Sequence, residues 1–71
     1  MKNKYEEYDI VVAKKELTEQ VKQGTEGVIL SVHEGPKQID YTVEFLEETG
    51  ETIEIILVSE QDLENRNKKT R

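Results

Sequence analysis

Four short runs rich in Val, Ile, Tyr and Phe, set apart by Gly, Pro and polar clusters, restrict this chain to a small β fold. The first run is Ile10, Val11, Val12 and Ala13, whose β-branched side chains suit a pleated backbone better than a helix. Residues 28–33 form the second. The third alternates cleanly: Ile39, Tyr41, Val43 and Phe45 share one face, while Asp40, Thr42 and Glu44 share the other, the period of two of a half-buried strand. The fourth, residues 52–58, places Ile53, Ile55 and Leu57 on one face and Ile56 and Val58 on the other, interrupted by Glu54. Its end is apolar on both sides, so either both sides are covered or one is an exposed patch.

The segments between the runs read as turns. Leu17 and Val21, four apart within residues 14–22, fit either one helical turn or a long loop pinned to the core. Gly24 and Gly27 are expected to bracket a turn that needs positive φ. Gly35 and Pro36 break the chain after the second strand. Residues 47–50 read as a four-residue hairpin loop with Gly50 at its end. Ser59, three residues before Asp62, is expected to cap a short 3₁₀ or helical turn that returns Leu63 to the core. Beyond Glu64 no apolar residue remains, which predicts a frayed basic tail over residues 64–71. Short strands joined by short turns indicate an all-β barrel or sandwich, since a parallel sheet would need helices between strands. Five short strands closing into a barrel would also remove exposed sheet edges.

With 71 residues, the chain can hide only about 60% of the surface its unfolded form exposes, which leaves little material for a deep cleft. It contains no cysteine and one histidine, so neither disulfides nor a thiolate or imidazole metal site supplements the core. No cofactor is expected. The 34% hydrophobic content and the net charge of -6 lean toward disorder, but concentration of the apolar residues into strand-like runs argues for a folded domain. No apolar stretch approaches the roughly 18 residues of a membrane helix, nothing resembles a targeting segment, and a cytoplasmic protein is expected.

Charge is unevenly spread. Residues 1–63 carry six Lys against fifteen acids, whereas residues 64–71 carry four basic groups and Glu64. An acidic body repels a phosphate backbone, which argues against nucleic-acid binding except through the basic tail. It would steer instead toward a basic protein partner.

Catalytic groups are scarce. His33 is the one side chain with an ordinary pKa near neutrality, and it is expected exposed at the end of the second strand. No nucleophile motif surrounds Ser31 or Ser59. Glu47, Glu48 and Glu51 form an acidic loop but lack the spacing of a calcium loop, and Gly24 with Gly27 lacks the Lys and hydroxyl of a phosphate loop. Tyr41 and Phe45 read as core, and Tyr5 and Tyr8, beside Glu6, Glu7 and Asp9, as surface aromatics.

Several ordered elements together resemble a family of small bacterial proteins catalogued as domain of unknown function 4926. They are Tyr8-Asp9-Ile10-Val11-Val12, Gly24-Thr25-Glu26-Gly27-Val28-Ile29, Tyr41-Thr42-Val43-Glu44-Phe45, Gly50-Glu51-Thr52-Ile53 and Ser59-Glu60-Gln61-Asp62-Leu63. The resemblance spans residues 8–63, implies an SH3-like five-stranded barrel, and brings no catalytic residues. Leu57 departs from it, standing where such proteins tend to be polar. The expected organisation is a lead-in at 1–7, an SH3-like barrel at 8–63 and a disordered basic tail at 64–71. The expected role is a non-catalytic protein-interaction module using Glu47, Glu48, Glu51, Ile55 and Leu57, with self-association through the fourth strand as one form. An immunity or antitoxin-like protein that covers a basic toxin with those carboxylates is the alternative, and RNA or ribosome binding ranks below it.

Overall fold

The computed structural model describes residues 2–66. They form one antiparallel sheet of β1 (Ile10–Ala13), β2 (Glu26–Glu34), β3 (Ile39–Leu46), β4 (Thr52–Ser59) and β5 (Leu63–Asn65), with a 3₁₀ turn at Glu60–Asp62 between the last two strands. The strands stand in the order β4-β3-β2-β1-β5. This connectivity dictates curvature. Four gaps of about 4.8 Å would set β4 and β5 about 19 Å apart in a flat sheet, yet the four steps from Ser59 to Leu63 reach about 14 Å even when fully extended. The sheet therefore rolls on itself, and Val58 and Leu63 meet the same core. The backbone ladder nonetheless stays open: β4 pairs with β3 and β5 with β1, leaving both as ends.

The alternation along β3 is realised in full, with Ile39, Tyr41, Val43 and Phe45 buried. Val11 and Ala13 from β1, Ile29 from β2, Val58 and Leu63 complete the inward face. Residues 14–25 form no helix. They make a loop in which Val21 is fully buried and Leu17 packs against the core, held where Leu17 N–H donates to the Val21 carbonyl (2.9 Å).

Four local expectations change. Tyr5 is not a surface aromatic: it is buried beside Tyr41, so residues before position 8 belong to the folded unit. Only Gly24 of the two loop glycines has positive φ (+91°). Gly27 lies within β2, where a Cβ would fall 2.6 Å from Val43 Cγ1 and 2.9 Å from Phe45 Cδ1, so close approach of β3 is what glycine serves there. Ser59 occupies the cap position of the 3₁₀ turn, but its side chain makes no capping hydrogen bond; the turn closes through Leu63 N–H to the Glu60 carbonyl. Glu64 and Asn65 pair with Val12 and Val11 in β5, carrying the fold two residues past the expected boundary at 63, and Arg66 pairs with Glu26 (3.2 Å). Residues 67–71 of the expected tail lie outside the described residues. Among the described residues no helix is long and apolar enough to cross a membrane.

Candidate interaction surface

Strand register builds a row across the outer face of the sheet, apolar at both ends and interrupted by Glu44. Ile10 on β1 opposes Val28 on β2, Val28 opposes Glu44 on β3, and Glu44 opposes Ile55 on β4. One step along, Leu57 opposes Thr42. Ile55 is 55% exposed, Leu57 62% and Ile10 42%, so the two-sided apolar end of β4 is resolved as one covered face, Val58 and Ile56, and one open face. A register shift beside Leu46 takes Ile53 out of that open face: Phe45 pairs with Glu54 and Leu46 with Thr52, which leaves Ile53 bulged and packed on the core. Thr18 Oγ1 donates to Glu54 Oε1 (2.7 Å), tying the long loop to the start of β4.

The carboxylates expected to join this surface form a separate cluster. Glu47, Glu48 and Glu51 are exposed at the β3–β4 hairpin, closed by Glu47 N–H to the Glu51 carbonyl and Gly50 N–H to the Glu47 carbonyl (both 2.8 Å). Six residue steps of strand separate Glu51 from Leu57, about 20 Å. Glu47 and Glu48 instead share a shallow groove with Glu26, Thr25, Leu46 and Ile53. Among the described residues no group of three or more His, Asp or Glu side chains is arranged to hold a metal ion.

His33 is exposed. Its Nε2 lies 2.8 Å from Thr42 Oγ1 and 3.1 Å from Ser31 Oγ, so both hydroxyls meet the same ring nitrogen. Asp40, directly opposite His33 on β3, receives the Gln38 amide at 2.8 Å. Hydroxyl, imidazole and carboxylate are thus adjacent but not arranged as a proton relay, which needs the carboxylate on the second ring nitrogen.

The N-terminal segment is held by a polar network at the other end of the core. Tyr41 Oη donates to Glu60 Oε2 (2.5 Å) and accepts Tyr5 N–H (3.2 Å); Lys4 N–H donates to the same carboxylate oxygen (2.8 Å), and Tyr5 Oη donates to the Leu63 carbonyl (3.2 Å). The two rings stack edge to face at 5.5 Å. Burial, reinforced by the Glu60 hydrogen bond, pushes the Tyr41 hydroxyl up to about 12. Burial raises that of Tyr5 as well, with the Glu60 and Glu64 charges adding.

Tyr8, 74% exposed, is the one described residue other than glycine with positive φ (+71°). Asp9 N–H donates to the Glu6 carbonyl (3.0 Å), which puts Tyr8 at the third position of a tight turn. Tyr8 N–H donates to the Ile29 carbonyl (2.7 Å), and Ile29 N–H to the Asp9 carbonyl (3.0 Å), so two residues oppose one, as in a bulge whose first residue is normally glycine.

Ile10 and Tyr5 were not legible as surface and core. Exposure of Ile10 follows from its pairing with Val28, visible only once β1 and β2 are in register. Burial of Tyr5 follows from Tyr41 and the Leu63 carbonyl, 36 and 58 residues away. A family model described as domain of unknown function (DUF4926) matches residues 7–65, and the chain belongs to that family. Neither among curated proteins nor among solved structures does any match the chain.

Proposed function

We infer that this member of the DUF4926 family works as a non-catalytic protein-interaction module that docks its partner on the outer face of β4. The observation that carries the reading is the exposure of Ile55 and Leu57 on a strand whose opposite face is packed. Single exposed apolar side chains are ordinary, but Ile55 and Leu57 lie side by side on one face of β4, and an adjacent exposed pair is a mark of a contact surface. Covering Ile55 and Leu57 would release about 1–2 kcal/mol each, scaled from full burial by their present exposure. That places each among the minority of interface residues that cost more than about 1 kcal/mol when truncated, enough for an interface of modest affinity.

The test is affinity capture at moderate salt with the native sequence, Leu57→Ser, and Glu19→Ser on the exposed long loop as control, with light scattering on each. A partner kept by the native and control proteins and reduced at least about fivefold by Leu57→Ser is the expected result. Identical capture by all three would remove the β4 face from the function.

A further inference from the structure

We propose that the free edge of β4 accepts an extended, Lys- or Arg-bearing segment of a partner protein as an additional strand. This rests on the interaction reading above and adds to it the occupant and its mode of binding.

The first support is the edge itself. β4 is eight residues long, ends the sheet, and is paired with β3 alone; among the described residues none of the backbone hydrogen bonds formed outside the strands involves residues 52–59. Edge strands are normally guarded by a lysine, a proline or a bulge that twists them away. β4 contains neither Lys nor Pro, and its guards, the bulge at Ile53 and the Glu54 carboxylate that receives the Thr18 hydroxyl, lie at its start; from Ile55 to Ser59 the register runs unbroken against Glu44 to Asp40. Such an edge is a template for main-chain pairing, in which an incoming strand supplies hydrogen bonds and alternate side chains supply specificity. Side chains on its outer side would lie beside Ile55 and Leu57.

Charge then selects the occupant. Residues 38–65 hold nine carboxylates, at 40, 44, 47, 48, 51, 54, 60, 62 and 64, and no Lys, Arg or His. Among the described residues one ion pair, Lys15 with Asp62 (3.5 Å), reaches this stretch from outside. Pairing β4 with a second copy would bring two such stretches together against their like charge. A basic segment would be attracted, with flanking bases meeting exposed Glu47, Glu48 and Glu51 at the start of the strand.

The probe is a ten-residue peptide alternating Lys and Val, compared with a Glu–Val peptide and with the Lys–Val peptide N-methylated at alternate amides. N-methylation keeps the charge and removes strand pairing. Expected are binding of the Lys–Val peptide to the full chain, slowed hydrogen exchange confined to β4 amides, and binding at least tenfold weaker for the N-methylated peptide and at least about fivefold weaker for Leu57→Ser. Equal binding of the N-methylated peptide, or protection elsewhere than β4, overturns the strand-addition mode. A dimer mediated by β4 that the peptide does not displace overturns the choice of occupant in favour of a second copy. If the peptides fail while Leu57→Ser still loses a captured partner, the inference about the edge falls and the interaction reading stands; failure of both removes both.

Discussion

Removing one oxygen from Tyr41 tests how the N-terminal segment is held. In Tyr41→Phe the ring and its edge-to-face contact with Tyr5 remain, but Tyr5 N–H loses its acceptor and Glu60 loses its shortest donor, keeping Lys4 N–H. A buried donor left unpaired costs about 1–3 kcal/mol, and a hydrogen bond to a charged group contributes about 1.5–3 kcal/mol. These overlap, so about 3 kcal/mol is the expected loss at neutral pH, on the order of 10–25 °C in Tm for a domain of this size. The pH dependence supplies an independent check. Because the Tyr41 hydroxyl is raised from 10.0 to about 12, the folded state holds its proton where the unfolded state releases it. Its contribution is intact below pH 10, declines as pH rises from 10 to 12, and by then is lost by at most about 2.7 kcal/mol. Urea unfolding of both proteins at pH 7, 10 and 11.5 measures this. The native protein should lose stability steeply above pH 10, and Tyr41→Phe should start lower and fall less. A variant as stable as the native protein at pH 7, with an unchanged alkaline profile, would refute the network's role.

Other substitutions probe separate elements. Gly27→Ala should cost about 1–3 kcal/mol in chemical denaturation, because its Cβ has no room against Val43 and Phe45. Tyr8→Gly should stabilise by about 0.5–1 kcal/mol, since relief of the left-handed conformation exceeds the added chain entropy of glycine; a loss of stability would mean that the ring contributes contacts of its own. Leu57→Ser should leave thermal stability within about 0.5 kcal/mol of native, because the side chain is already largely in water.

What could be read in advance depended on how local the cause was. The alternation of Ile39, Tyr41, Val43 and Phe45 with polar neighbours placed β3 and its buried face, and the β-branched runs placed the bounds of β1 and β4 nearly to the residue. Gly50, with φ of +96°, ended the hairpin as its type requires. The rest depended on partners distant in the chain. Gly27 looked like a turn glycine until β3 lay across it. Glu64 and Asn65, with no apolar pattern, become strand through the backbone of Val11 and Val12. The face of β4 was ambiguous because a bulge at Ile53, a property of pairing with β3, reassigns one residue of an otherwise regular alternation. Of the candidate surface, Ile55 and Leu57 were legible from their spacing, while their separation from Glu47, Glu48 and Glu51 required the length of the strand between them.

Site-directed photo-crosslinking in living cells tests the central claim most directly. A photoreactive phenylalanine analogue at position 57, on the open face of β4, is compared with the same group at position 19 on the long loop. A discrete protein adduct from position 57 and none from position 19 is the expected result. Adducts of equal yield from both positions, or from position 19 alone, would contradict a docking surface on β4.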